Sequence, residues 1–247
     1  MKIVVVGGTG MVGRNVVTKL QERGHEVIAA APQTGFNTLT GEGVDATLEG
    51  AEVVLDVTNA PNMEEGPATD FFRTSGRTLL AAEKKAGVRH HVTLSIVGVD
   101  RPHDLGYYRA KVAQEQVVRD GDVPFTIVRS TQFFEFMKAV VDGNADGDTV
   151  RLPTTMVQPI AVTDLAAELA SIAVEAPVGD VVEVAGPEAM PLDEFARRLT
   201  AVTGDGRTVT TDPSVRPFFG VELDGRLLVP GPGARLAATD LPAWLAA

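Results

Sequence analysis

A doubly wound α/β fold, a parallel sheet with helices on both faces, is predicted by three observations. Short apolar runs alternate with amphipathic stretches through the first half of the chain. Those runs are nearly continuous in Val, Ile and Leu, as strands buried on both faces are. A glycine-rich turn, Gly7-Gly8-Thr9-Gly10, joins the first run to the first helical stretch. Lys2–Val6 is the first strand, and Met11–Glu22 the first helix. There Met11, Val12, Val16, Val17 and Leu20 recur at helical spacing, and Gly24 stops it. Glu26–Ala31 is a second strand closed by Pro32, and Glu52–Val57 a third. A long helix over Thr69–Ala86 ends at Gly87. Arg89–Val97 is a strand, Leu105–Arg119 a helix, Phe125–Arg129 a strand and Gln132–Val141 a helix.

After about residue 142 the rhythm shortens. Gly143–Gly147 reads as a turn, Thr149–Leu152 and Met156–Ile160 as short strands, and Thr163–Val174 as a helix capped by Thr163. Asp180–Val184 is a strand and Leu192–Val202 a helix. Beyond Asp212, prolines and glycines predict surface loops. No repeat or linker interrupts the chain, so residues 1–247 read as a single domain. Its α/β extension, built mainly from about 143 to 247, is expected on the side where a small molecule would be enclosed.

Composition excludes several functions. At 44% apolar and 22% charged, the 247 residues match a globular domain, not a disordered one. With no Cys, disulfides, thiolate metal sites and cysteine nucleophiles are excluded. A net charge of −11 argues against nucleic acid as a partner, since phosphate binding needs a basic footprint. No apolar run is long enough to span a bilayer, and the apolar start stops at Gly7. A soluble cytoplasmic protein acting on a small molecule is the expectation; the oligomeric state is not indicated.

Gly7-x-x-Gly10-x-x-Gly13 lies between strand and helix, where a dinucleotide's pyrophosphate meets a helix N-terminus. NAD-specific versions carry an Asp or Glu at the end of the second strand. Here that strand ends Ala29-Ala30-Ala31-Pro32-Gln33-Thr34, without a carboxylate. Arg14 follows the third glycine and could reach a 2′-phosphate, with Gln33 or Thr34 donating beside it. NADP(H) is therefore favoured over NAD(H).

Tyr107 and Lys111 are four apart on a predicted helix and so share a face. An ammonium near a phenol lowers its pKa from about 10 toward the working range. Ser95, at the carboxyl end of the preceding strand, could hold a substrate carbonyl against that phenol. Adjacent His90 and His91 point to opposite faces of a strand and read as structural. His103 reads as solvent-facing. Glu64, Glu65 and Asp70 show no metal-ligand spacing, and no metal is expected. One ring of Phe133 and Phe134 is expected on a pocket wall, which would suit an apolar carbonyl or quinone.

Val6-Gly7-Gly8-Thr9-Gly10-Met11-Val12-Gly13-Arg14, the Ser95 strand and Tyr107-x-x-x-Lys111 together resemble the short-chain dehydrogenase/reductase superfamily. Asp56-Val57-Thr58-Asn59-Ala60-Pro61 and Thr126-Ile127-Val128-Arg129-Ser130-Thr131-Gln132-Phe133 are similar to its atypical, NmrA-like branch. The likeness is strong to about residue 160 and loose afterwards. It implies a Rossmann-type sheet, NAD(P)H along the strand ends, and a nicotinamide near Ser95, Tyr107 and Lys111. Lys111 would also bond the nicotinamide ribose. Thr58, Asn59 and Ala60 would line the adenosine and ribose side, and Ser130, Thr131 and Phe133 would close over the nicotinamide. The Gln33–Ala51 loop departs from the family pattern, so no adenine contact is assigned to it. The expected function is NADPH-dependent reduction of a carbonyl or quinone. A non-catalytic NADP(H) sensor is the second reading, and a sugar-nucleotide epimerase a weaker third.

Overall fold

The computed structural model describes residues 1–101, 103–223 and 225–246. In chain order its elements begin with β1 (Lys2–Val6), α1 (Met11–Glu22), β2 (Glu26–Ala30), α2 (Val44–Leu48), β3 (Val53–Asp56) and α3 (Glu65–Ala86). Next come β4 (His90–Ile96), α4 (Gly106–Arg119), β5 (Phe125–Ser130), α5 (Phe134–Gly143), β6 (Ala145–Asp146), β7 (Thr149–Leu152) and β8 (Met156–Val157). The chain finishes with α6 (Val162–Ile172), β9 (Val181–Ala185), β10 (Met190–Pro191), α7 (Leu192–Thr203), β11 (Thr208–Thr211), β12 (Arg235–Leu236) and α8 (Leu241–Leu245).

Seven strands form one parallel sheet in the order β12-β9-β5-β4-β3-β1-β2. This is the Rossmann-type α/β arrangement. The chain runs from β1 to β2 on one side and then crosses to β3 on the other. That reversal opens a crevice above the carboxyl ends of β1 and β3. Register brings the strand ends level: Val6 lies beside both Ala30 and Asp56, Asp56 beside Thr93, and Ser95 beside Arg129.

Strand alternation decides which helix covers which face. Ile3 and Val5 pack with Val16 and Leu20 of α1 and Leu165 and Leu169 of α6. Val4 and Val6 point the other way, against Leu48 of α2 and Leu79 of α3. Each such fully buried side chain contributes about 1.5–3 kcal/mol, enough to fix the register. A third cluster joins α3 and α4 to the extension, where Phe134 stacks on Phe195 and Trp244 at 6.2 and 5.2 Å between centroids.

Several boundaries differ from those expected. Helix α3 starts at Glu65, four residues early, because Pro67 lies in the first turn, where an N–H has no helical partner. Helix α5 starts at Phe134, because Phe133 instead bridges to Ile160, whose N–H bonds the Gln132 carbonyl at 2.9 Å. Ala161, not Thr163, is the N-cap of α6. The Gly143–Gly147 turn holds β6. Strand β11, unexpected because its residues are mostly exposed, pairs with β7. Past Asp212 the loops also carry β12, which extends the main sheet, and α8, capped by Asp240 on the Ala243 N–H at 2.9 Å. Among the described residues, no helix is long and apolar enough to cross a membrane.

Candidate active site

A cavity of about 780 Å³ runs over the carboxyl ends of the central strands. Its floor at one end is the turn between β1 and α1. Gly7 sits at φ 81°, a left-handed conformation that glycine adopts without penalty. A Cβ on Gly13 would stand 2.1 Å from the Gly7 carbonyl oxygen, so only glycine lets α1 start this close to the turn. Gly10 caps α1 without a side chain. The first N–H groups of a helix lack carbonyl partners, and Met11, Val12 and Gly13 line the cavity at this point. Such an end receives an anion favourably.

The same wall brings together Gly7, Thr9, Gly10, Met11, Val12, Gly13, Gln33, Thr58, Asn59, Ser95, Tyr107, Lys111, Ser130, Thr131 and Phe133. Three candidates fall elsewhere: Thr34 is off the wall, its hydroxyl bonded to the Ala31 N–H and carbonyl at 2.9 and 2.8 Å. Ala60 is buried in the core against α3 and α4, and Arg14 is exposed on α1, off the wall. Gln33 reaches back across the β1 turn, its Nε2 2.5 Å from Thr9 Oγ1. Of the phenylalanine pair, Phe133 lines the cavity while Phe134 belongs to the core.

Helix α4 presents Tyr107, Lys111 and Gln114 on one face at i, i+4 and i+7. The Tyr107 hydroxyl donates to Asn59 Oδ1. Lys111 Nζ donates to the Leu94 carbonyl at 2.8 Å and to Gln114 Oε1, and lies 4.6 Å from the centroid of the Phe72 ring. The ammonium does not lower the phenol as expected. Burial pushes Tyr107 up to about 12, and Lys111 spends its hydrogens on other acceptors. Burial also pulls Lys111 down to about 8, against the opposing pull of the Asp56 and Glu115 carboxylates.

Ser95 lines the same cavity as the phenol but spends its hydroxyl elsewhere. Its hydroxyl donates to Glu115 Oε1 at 2.6 Å. That buried carboxylate also accepts from Arg129 Nε at 2.9 Å and Nη2 at 2.7 Å, and Arg129 meets Asp100 at 2.6 Å. On the other side of the cavity, Thr131 Oγ1 and Gln132 Oε1 are buried without hydrogen-bond partners. Buried polar atoms of that kind cost free energy unless a ligand satisfies them. Together with the uncapped helix start, they fit a polar, anionic, extended guest such as a dinucleotide.

Sequence reasoning missed part of the wall. Phe36, Asn37, Thr38 and Leu39 line the glycine end, from the loop to which no contact was assigned. Phe71, Phe136, Phe218, Phe219 and Leu228 line the other end; the doubled phenylalanines at 71–72 and 218–219 were the available signal. Phe219 holds φ 55°, a left-handed conformation uncommon outside glycine, on this wall. The histidines lie apart from the cavity. His91 Nδ1 pairs with Glu83 at 2.8 Å, His90 Nε2 with Thr126 at 2.9 Å, and His103 bonds its own loop.

Fold and site together define a dinucleotide-binding protein of the α/β class. The chain belongs to the NAD(P)H-binding family, whose signature matches residues 7–173. Its relatives and structural neighbours include named reductases and oxidoreductases. It is 30% identical over 220 residues to a (4-alkanoyl-5-oxo-2,5-dihydrofuran-3-yl)methyl phosphate reductase of Streptomyces griseus, covering 82% of this chain and 74% of that one. It is 31% identical over 220 residues to the chloroplastic divinyl chlorophyllide a 8-vinyl-reductase of Oryza sativa. That match covers 75% of this chain and spans about half of the rice protein, 54%. Among solved structures, the fold resembles an NADPH-dependent quinone oxidoreductase of Escherichia coli complexed with NADPH. The TM-score is 0.69 at 22% identity, over 85% of this chain and 77% of that one. It also resembles a dTDP-4-dehydrorhamnose reductase of Clostridium acetobutylicum, with TM-score 0.76 at 19% identity over 100% and 99% of the two chains.

Proposed function

We propose that the protein is an NADPH-dependent reductase of a small, neutral carbonyl or quinone, with Tyr107 as the proton donor. One observation carries the reading: Tyr107 and Lys111 open onto the same cavity as the glycine turn. When bound, NADPH supplies the hydride. Gly7, Thr9, Gly10, Met11, Val12 and Gly13 would hold the pyrophosphate, Gln33 the adenosine end, and Thr58 and Asn59 the ribose side that leads to Tyr107. Ser130, Thr131 and Phe133 would close the nicotinamide end, with Lys111 on the ribose.

Tyr107 keeps its proton throughout the physiological range, because burial disfavours the phenolate. That suits a donor in reduction: the proton passes from the phenol to the substrate oxygen as hydride reaches the substrate, and solvent restores it. Asn59 holds the hydroxyl until a substrate oxygen takes its place. Ser95 orients that oxygen only by swinging its hydroxyl away from Glu115.

At the end of β2 no carboxylate stands against a 2′-phosphate, and Arg14, exposed on α1 just after the glycine turn, would be the cation to meet one. Both favour NADPH. Among the described residues, Lys111 is the one charged side chain on the cavity wall, and the distal end is phenyl-lined. Such a wall favours a neutral substrate over the phosphate ester named for the Streptomyces relative or a sugar nucleotide. A cytoplasmic location belongs to the same proposal.

The test is NADPH oxidation followed against a panel of aldehydes, ketones and quinones. Turnover of a neutral quinone or ketone, lost in Tyr107→Phe, is the expected result. Full turnover in that variant overturns the mechanism.

A further inference from the structure

Lys111 is buried, and its surroundings are unusually complete. From β4 it receives the Leu94 carbonyl, and from α3 the face of the Phe72 ring. From its own helix it receives Gln114 Oε1. The Gln114 amide is equally committed on its other side. Nε2 lies 3.2 Å from Asp56 Oδ2 and 3.2 Å from Thr93 Oγ1. Asp56 closes the circuit, since Oδ1 accepts from the Thr58 N–H at 2.9 Å and from the Thr58 hydroxyl at 2.7 Å. The next residue is Asn59, which accepts from Tyr107.

We infer that Gln114 is a positioning residue that ties Lys111 to the Asp56 carboxylate, so that one buried anion at the end of β3 orders both members of the Tyr107–Lys111 pair. Asp56 acts on Lys111 through the Gln114 amide, and on Tyr107 through the Thr58–Asn59 turn. A glutamine suits this place because it accepts from an ammonium at one end and donates to a carboxylate at the other. Glutamate would lack the donor, and an apolar side chain would leave Asp56 and Lys111 each short of a partner in a buried site. At i+3 from Lys111 on α4, the residue reaches both without distorting the helix.

The charged groups around Lys111 set what a change at Gln114 does. Asp56 faces it from β3. Glu115 faces it from α4, but that carboxylate is already shared by Ser95 and Arg129, and Arg129 in turn by Asp100. Tyr107 is protonated, and the buried Glu83–His91 pair adjoins Asp56 on the far side. Removing the Gln114 oxygen takes an acceptor from the ammonium and favours the neutral amine. Replacing the amide by a carboxylate adds a further anion beside the ammonium and favours it.

The inference rests on the proposed role of Lys111 at the cofactor ribose, and the experiment separates the two. Lys111 is titrated directly by the ¹³Cε shift of labelled lysine, its resonance assigned with Lys111→Met, in wild type, Gln114→Leu and Gln114→Glu. Folding of each variant is checked by thermal melting, and NADPH affinity is measured on the same samples. The expected result is a lower midpoint in Gln114→Leu with about tenfold weaker NADPH binding, and a higher midpoint in Gln114→Glu. Folded variants whose midpoints both stay at the wild-type value overturn the positioning role. Midpoints that move while NADPH affinity and turnover do not would keep the link to Asp56 and overturn the ribose role of Lys111.

Discussion

The hydroxyl of Tyr107 donates to Asn59 Oδ1, so the proposed proton donor on α4 is held by the loop that leaves β3. The phenol therefore waits in a neutral, hydrogen-bonded state. Tyr107→Phe removes the proton and leaves the wall otherwise intact. We expect kcat to fall by roughly 10²-fold or more, as for loss of a general acid. NADPH affinity, read by fluorescence titration, should stay within about threefold. A variant that lost cofactor binding instead would make Tyr107 a binding residue.

The pH dependence follows from Lys111. Its pKa is pulled down to about 8, so the ammonium is present below that value and lost above it. If the ammonium holds the ribose, NADPH-dependent reduction declines as pH rises through about 8. Tyr107, pushed up to about 12, stays a donor across that range and does not cause the decline. A rate that keeps rising to pH 10 would deny Lys111 this part.

Cofactor choice turns on Arg14. A charge-assisted hydrogen bond contributes about 1.5–3 kcal/mol, or roughly 10- to 100-fold in affinity. Arg14→Ala should weaken NADPH by at least the lower end of that range and leave NADH unchanged. Calorimetric titration of both coenzymes checks the difference, and equal losses for the two remove Arg14 from the 2′-phosphate.

Glu115 carries a stability prediction. Its carboxylate satisfies Ser95 and two nitrogens of Arg129 inside the core. Glu115→Ala leaves the guanidinium buried with Asp100 alone, and breaking a buried pair costs about 3–5 kcal/mol. Urea unfolding should show a loss of this order. A loss below about 1 kcal/mol would mean that Arg129 relaxes into solvent.

The legible parts of the molecule are those that local pattern determines. The glycine turn announces itself because Gly7 needs a left-handed backbone and Gly13 has no room for a Cβ. Tyr107 and Lys111 stand out because helical spacing alone puts them on one face. Which acceptors those two find is a tertiary matter. Asp56 and Gln114 are 58 positions apart and meet only when β3 and α4 pack. Ser95 looked free to meet the phenol because nothing local reveals Glu115 beneath it. The Phe36–Leu39 segment lines the cavity from irregular chain with no periodicity to read, and Phe218 and Phe219 return to the site from the far end of the sequence.

The central claim is that this cavity seats NADPH with its nicotinamide against Tyr107. Crystals grown with NADPH test it most directly. The account predicts a dinucleotide along the wall from Gly7 to Phe133, with substrate space within roughly 3.5 Å of the phenol oxygen. An empty cavity at saturating NADPH, or a nicotinamide lying away from Tyr107 and Lys111, would contradict it.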